Sequence, residues 1–507
     1  MAESRGGFLP GGGGVGVGCP WMLFCSVMGR GARLIQPSRR IELNASTLED
    51  ERDGNPEESN PSYTHIMIPP DTKRCTVMGL GRFGGGLGVT RWLLEQGCEV
   101  CVTDMASPES LAEALMSLQP EIDKGAARTV LGGHETKDFT ETDLVIANPA
   151  VPMPWDNAFL QSARDHGVPI STEIRLLTER LDRTRVIGVT GTNGKSTTAS
   201  MIHHILENSG FDSRLGGNIG GSLLPSIQDI KQDTWIVLEL SSAMLYWLGE
   251  DEGERGWSPG TAVITNIAPN HIDWHGSESH YRTCKDNITR WQSDDDLVVR
   301  GDHISKRATP IPLRIPGAHN QANALLAVMT TARTTGVSPA RAVEALTDFA
   351  GLPHRLEAIG EDSRFFNDSK SSTPEATILA VEAFAPKRSR VHLIAGGYDK
   401  GVSLKSIAEI CPKIGGLYTI GATGPDLATE AGGQAISCGN LSKAVEEAFK
   451  RMGPEDVLLL SPGCASWDQF DHFEARGDAF RALVQAQSGT TGSARIAPTS
   501  SLSEPSS

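Results

Sequence analysis

Apolar residues fall along this chain in two alternating rhythms. Short runs that are apolar at nearly every position occur at 76–78, 100–103 and 144–147. They recur at 186–190, 235–240 and 262–266, and again near Phe365 and at 391–395, 417–420 and 457–460. Runs this short and rich in Val, Ile and Leu predict strands buried on both faces, as in parallel sheets. Between them the apolar positions follow helical spacing: Met201, Ile202, Ile205 and Leu206 share one face. Regular alternation of strand and helix predicts an α/β fold, here divided into three domains over 67–180, 181–314 and 315–487.

The two ends break both rhythms. Residues 1–66 hold a glycine run (11–14), a short apolar run (21–28) and then a polar stretch of Glu, Asp, Asn and Ser. The apolar run is too short to span a bilayer, and no small-residue cleavage site follows it. This segment is expected to be a disordered extension, with Met67 as an alternative start. Residues 488–507, rich in Ser, Thr, Pro and Gly, are expected to be a disordered tail.

The run at 186–190 enters Gly191-Thr192-Asn193-Gly194-Lys195-Ser196-Thr197 and then the amphipathic stretch. Strand, glycine-rich loop and helix in that order form a phosphate cradle. Backbone N–H groups converge, the helix start adds partial positive charge, Lys195 reaches the outer phosphates, and Ser196 or Thr197 holds Mg²⁺. The strict pattern wants a glycine where Val189 stands, so an ordinary glycine-rich turn is the alternative. Read as a cradle, the loop makes the central domain a P-loop ATPase domain that binds a nucleoside triphosphate.

In the first domain, Gly79-Leu80-Gly81-Arg82-Phe83-Gly84 follows a strand and opens a helix, and Asp104 ends the next strand twenty residues later. That is a Rossmann-like fingerprint. It suits a dinucleotide, as in an NAD-dependent dehydrogenase, or any diphosphate on a helix start. Asn148, opening Asn-Pro-Ala-Val-Pro, stands where a ligand crevice would lie, unless it only forms a turn. In the central domain Glu239 closes a strand beside the phosphate loop, a good position for a Mg²⁺ ligand. His271 can hold a second metal or touch phosphate. Lys285 by itself reads as a surface lysine.

Composition narrows the partners. The 507 residues carry a formal net charge of −16, which argues against nucleic acid, whose binding needs a basic surface. Anionic small molecules remain open, because local Lys, Arg and Mg²⁺ can hold them. Nine cysteines form no framework, and Cys98-x-x-Cys101 lacks the second pair that zinc needs. Buried free thiols and a reducing cytoplasm are the expectation.

The motifs together resemble the Mur ligase family of peptidoglycan synthesis. They are Gly191-Thr-Asn-Gly-Lys-Ser-Thr, Leu238-Glu-Leu-Ser-Ser, Asn270-His-Ile-Asp, Gly317-Ala-His-Asn320-Gln-Ala-Asn323-Ala and Gly351-Leu-Pro-His354-Arg355. Asn367-Asp368-Ser-Lys370, Gly396-Gly-Tyr-Asp-Lys400-Gly and Ser461-Pro-Gly-Cys-Ala-Ser466 follow in the family's order. The resemblance runs from about residue 73 to about 485. Within the family, the Gly79 turn, Asn-Asp-Ser-Lys with Ser-Ser-Thr-Pro, and Gly-Gly-Tyr-Asp-Lys-Gly are similar to the D-glutamate-adding members. Ser372 stands where threonine is common, and Trp467 where leucine or phenylalanine is usual.

The resemblance implies a Rossmann-like third domain and an ATP-dependent amide ligase. It joins UDP-N-acetylmuramoyl-L-alanine to D-glutamate through an acyl phosphate. Catalysis falls to Lys195, Glu239, His271 and Lys285, with two Mg²⁺ ions on Ser196, Glu239, His271 and a carbamate formed from CO₂ on Lys285. ATP is held by residues 191–197 with Asn320, Asn323, His354, Arg355 and Asp368. The UDP-substrate meets Gly79–Gly84, Asp104, Asn148, Asn218 and Ser241. D-Glutamate meets Lys370, Ser372, Lys400, Ser466, Trp467 and Phe473. A cytoplasmic monomer without membrane partner is implied. Another Mur ligase or a folylpolyglutamate synthase-like ligase is the nearest alternative.

Overall fold

The computed structural model describes residues 72–81, 84–249, 256–303, 310–361 and 363–489. Expectations for 1–66, for Arg82 and Phe83, and for most of the C-terminal tail lie outside the described residues. Apart from Pro310, the described residues belong to one compact unit.

Three mainly parallel sheets, each flanked by helices, follow one another along the chain. The first contains β1 (Arg74–Met78), β2 (Glu99–Asp104), β3 (Ala127–Leu131), β4 (Leu144–Ala147) and β5 (Ile170–Ser171), in the order β3-β2-β1-β4-β5. The second contains β6 (Val186–Thr190), β7 (Ser213–Gly217), β8 (Trp235–Glu239), β9 (Thr261–Ile264) and β10 (Leu297–Arg300), in the order β10-β9-β6-β8-β7. The third contains β11 (Glu357–Ile359), β12 (Phe365–Asn367), β13 (Val391–Gly396), β14 (Gly416–Ile420), β15 (Ile436–Gly439) and β16 (Val457–Leu460), in the order β11-β12-β16-β13-β14-β15. β11 runs antiparallel to β12, and the other strand pairs of the described residues are parallel.

The strand order explains where a site can form. In the first two sheets the earliest strand is central, and later strands add on either side of it. The chain after β1 and after β6 therefore leaves each sheet at a point where the winding reverses, which opens a crevice at the carboxyl ends of the strands. β6 is buried along its whole length. Its register sets Val189 opposite Glu239 on β8, and Thr190 opposite Ile264 on β9. The loop after β6 is thus flanked by Glu239 on one side and by Thr265 and Asn266 on the other. In the third sheet β12, β16 and β13 bring Asp368–Lys370, Ser461–Ser466 and Gly396–Lys400 to the same end.

Candidate active site

The loop from Gly191 to Lys195 is held from the segment that follows β9. Thr265 Oγ1 and Asn266 Nδ2 donate to the Asn193 carbonyl at 2.6 and 2.9 Å. Thr192 N donates to the Asn266 carbonyl at 2.8 Å, and Asn193 N to Asn266 Oδ1 at 3.1 Å. Gly191 has φ +148, and a Cβ there would lie 1.9 Å from Thr265 Oγ1. Only glycine fits. Gly194, in the left-handed region, caps the helix Lys195–Asn208. A Cβ on it would meet Asn323 Oδ1 at 2.5 Å, so Asn323 lies against the loop. Asn320 stands behind Asn323 and donates to the Pro316 carbonyl at 2.6 Å.

Positive charge gathers here. Lys195 Nζ donates to the Thr192 carbonyl at 2.9 Å. Burial lowers its pKa, and Arg355 lowers it further, against an opposing pull from Glu239. Lys285 is 2% exposed. Its Nζ donates to the Gly191 carbonyl at 2.8 Å and to Thr190 Oγ1 at 3.3 Å. Burial, helped by the charge of Lys195, pushes its pKa down to about 7. The surface-lysine reading of Lys285 is thereby excluded.

Glu239 is the acid within this cationic group. Its Oε1 accepts from Asn218 Nδ2 at 2.8 Å. Its Oε2 is buried with no hydrogen-bond partner. An unpartnered buried carboxylate oxygen costs several kcal/mol unless a cation meets it. Tyr281 completes the rear wall, with its hydroxyl 2.9 Å from Thr192 Oγ1.

Two cavities share Gly81 and Lys370 in their linings. One of about 760 Å³ is lined by Gly79, Leu80, Gly81, Asn148, Ser196, Asn218, Ser241, Arg355 and Lys370 among others. Asp104 Oδ2 accepts from Gly81 N at 3.2 Å, and Asn148 Nδ2 donates to the Gly79 carbonyl at 3.2 Å. Both residues therefore brace the first-domain turn. Ser241 also caps the helix Ser242–Trp247. The other cavity, about 830 Å³, is lined by Lys370, Ser372, Lys400, Ser466, Trp467 and Phe473, together with Gly81 and Gly84 from the first domain. Lys370 borders both cavities. Burial lowers its pKa, and Arg355 adds to the shift.

Three further expected residues line neither cavity. His271 is exposed at φ +52, and among the described residues its side chain makes no hydrogen bond or ion pair. The His354 ring packs inward, 3.0 Å from Asn367 Nδ2 and 5.9 Å from the Phe473 ring centroid. Asp368 accepts from Ser371 Oγ, Ser461 Oγ and Leu356 N. Its carboxylate orders the loop that carries Lys370 instead of facing the cavity, and burial raises its pKa to about 6. Side-chain direction is a tertiary property that a local motif does not specify.

Sequence reasoning passed over two residues that matter here. Glu173 lines the first cavity, accepts from Ser222 Oγ at 2.5 Å, and is pushed by burial up to about 6. Arg476, 1% exposed, donates to the Cys464, Ala465 and Ser369 carbonyls and so ties Ser466 to the Lys370 loop. Neither carries a local motif. The described cysteines are all free and buried, as expected.

Comparison with known proteins agrees with this layout. A "Mur ligase MurD-like, N-terminal domain" model matches residues 73–172, the "Mur ligase middle domain" 189–309, and the "Mur ligase, glutamate ligase domain" 354–464. The UDP-N-acetylmuramoylalanine–D-glutamate ligase of Acidobacterium capsulatum is 34% identical over 468 residues, covering 82% of this chain and 97% of that protein. The enzyme of the same name from Zymomonas mobilis is 35% identical over 447 residues, covering 81% and 97%. A solved UDP-N-acetylmuramate-alanine ligase from Thermotoga maritima aligns with a TM-score of 0.47 at 20% identity, covering 83% of this chain and all of that one. Three domain matches in order, and relatives matched over nearly their full length, establish that the chain belongs to the Mur ligase family.

Proposed function

We propose that this chain is an ATP-dependent ligase that adds D-glutamate to UDP-N-acetylmuramoyl-L-alanine in cytoplasmic peptidoglycan precursor synthesis. The observation that supports this reading is the position of Lys370 on the border of two cavities, the first of which is also lined by Ser196 of the phosphate loop. A carboxylate resists attack by an amine because its leaving group would be oxide. Phosphorylation by ATP makes an acyl phosphate, and the amine then attacks through a tetrahedral intermediate. Both steps crowd negative charge, so positioning and fixed positive charge supply most of the acceleration.

Each part of the chain has a task in that scheme. The N–H groups of 192–197 and Lys195 hold the β/γ-phosphates, with Asn323 and Arg355 closing over the nucleotide. Gly79–Gly81, Asp104, Asn148 and Asn218 hold the UDP-sugar and bring its carboxylate to Ser196 and Ser241. Lys370, Lys400, Ser372 and Ser466 grip the two carboxylates of D-glutamate; Trp467 and Phe473 wall the pocket. The partnerless Oε2 of Glu239 beside the Ser196 loop fits one Mg²⁺, which when bound neutralises charge on the transferred phosphoryl group. Lys285, buried and with a depressed pKa, is suited to react with CO₂; its carbamate would give a second ion an anionic ligand, with His271 as a further donor.

The test is phosphate release from ATP with UDP-N-acetylmuramoyl-L-alanine, Mg²⁺ and one amino acid at a time. Release with D-glutamate, and an amide product of the matching mass, is expected. Turnover with L-alanine or a diamino acid in place of D-glutamate would keep the chemistry and overturn the substrate.

A further inference from the structure

Beside the active site, His275, His280 and Cys284 form a cluster that the ligase reaction does not use. Among the described residues this is the one group of three His, Cys, Asp or Glu side chains whose candidate ligand atoms converge, all within 4.8 Å of one another. His280 and Cys284 lie one turn apart on the helix Glu278–Arg290, and His275 comes from the preceding short helix Ile272–His275.

The spacing can be compared with metal geometry. His275 Nδ1 is 3.0 Å from His280 Nδ1, and Cys284 Sγ is 3.8 Å from that His280 Nδ1 and 3.7 Å from His280 Nε2. In a tetrahedral zinc site the usual Zn–N and Zn–S lengths give ligand separations of about 3.3 Å (N to N) and about 3.6 Å (N to S). The observed nitrogen–nitrogen and nitrogen–sulfur separations lie within a few tenths of an ångström of those values. A second feature is independent of this triangle. His275 Nε2 is 2.9 Å from the buried Ser242 Oγ. With Nε2–H donated to that hydroxyl, Nδ1 carries its lone pair toward the cluster, the outer hydrogen bond that orients metal-binding histidines. Trp155 and Trp274 wall the pair, with ring centroids 4.5 Å from His280 and 4.4 Å from His275. His275 and Cys284 are buried and His280 is half-buried, so entry is past His280.

We propose that His275, His280 and Cys284 form a three-ligand site for a borderline-soft divalent cation, Zn²⁺, distinct from the Mg²⁺ site at Glu239. A fourth ligand position is left for solvent. Binding replaces the Cys284 S–H bond with an S–Zn bond and releases the proton to solvent. The site shares its helix with Tyr281 and Lys285, which touch Thr192 and Gly191 of the phosphate loop. Zn²⁺ occupancy therefore restrains the rear wall of the ATP site.

The test uses the full chain in saturating Mg²⁺ and ATP, so that hard-cation sites are filled. Zn²⁺ is titrated against a chromophoric chelator, and Co²⁺ is used as a spectroscopic stand-in. One Zn²⁺ per chain is expected. Cys284→Ser and His280→Gln should each weaken it at least tenfold. The wild-type Co²⁺ complex should show a thiolate-to-metal charge-transfer band that Cys284→Ser lacks. His280→Gln alters a half-buried side chain, so the comparison stands even if Cys284→Ser folds poorly. Equal Zn²⁺ affinity in His280→Gln and wild type, or a Co²⁺ complex without the thiolate band, overturns the proposal. Because binding is read directly, failure here would leave the ligase assignment untouched.

Discussion

Lys285 Nζ lies 2.8 Å from the carbonyl oxygen of Gly191, a contact between residues 94 positions apart. It fixes the helix Glu278–Arg290 to the floor of the phosphate loop and puts an amine where charge is expensive to bury. Burial and Lys195 together hold that amine at a pKa of about 7. A free lysine, near 10.4, would be almost wholly protonated at neutral pH.

Carbamylation of Lys285 should therefore follow pH. Below pH 7 the group is an ammonium ion without a lone pair, and the reactive fraction falls about tenfold per pH unit. In ¹³C-bicarbonate NMR, a carbamate resonance should grow from pH 6 to 8 and be missing from Lys285→Met. Lys285→Ala should lose turnover on the order of 100-fold, with partial rescue by short-chain carboxylates. Full activity of Lys285→Ala would remove the lysine from the mechanism.

The same shift has a stability consequence. The folded pKa is lower than the unfolded one, so between about pH 7 and pH 10 the unfolded chain binds the extra proton. Stability should rise with pH across that window, and Lys285→Met should flatten the rise. Parallel urea titrations of the two proteins at pH 7 and pH 9.5 would measure this.

Glu239→Gln keeps an oxygen for Asn218 Nδ2 but removes the charge that answers Lys195 and would hold Mg²⁺. Phosphate release should fall by about two to three orders of magnitude, with the thermal midpoint little changed. Mg²⁺ dependence read by initial rates should shift to higher concentration. Unchanged Mg²⁺ dependence would be evidence against the carboxylate as metal ligand.

Gly191→Ala places a methyl group 1.9 Å from Thr265 Oγ1 at φ +148. The strained backbone alone costs about 1–3 kcal/mol. Chemical denaturation should register at least that loss, and nucleotide binding should weaken. Adding Thr265→Ala should restore part of the stability, since it removes the clash and not the strain.

Lys400→Gln should raise KM for D-glutamate about tenfold or more, with KM for ATP nearly unchanged, because Lys400 lines only the outer cavity. Lys370→Gln should lower kcat as well, since Lys370 borders both cavities. Equal effects of the two variants would argue against a division of labour between them.

The apolar runs specify the central strands and the loops that leave them. Every strand expected from apolar runs is present, and these runs are the interior members of the three sheets. The six unforeseen strands, β3, β5, β7, β10, β11 and β15, are the edge strands. Edge strands lack a neighbour on one side and need fewer apolar residues, so β15 reads Ile-Ser-Cys-Gly and β7 ends in two glycines. The glycine and lysine motifs were legible because loop geometry and phosphate chemistry demand particular residues at fixed spacing. Which side chains face the cavities depends on packing between segments distant in the chain. Parallel register set Glu239 beside the loop, burial made Lys285 an interior amine of lowered pKa, and packing turned His354 and Asp368 inward. Glu173, Arg476 and the His275–His280–Cys284 cluster carry no local signature, because their roles come from neighbours distant in sequence or from the fold of a helix.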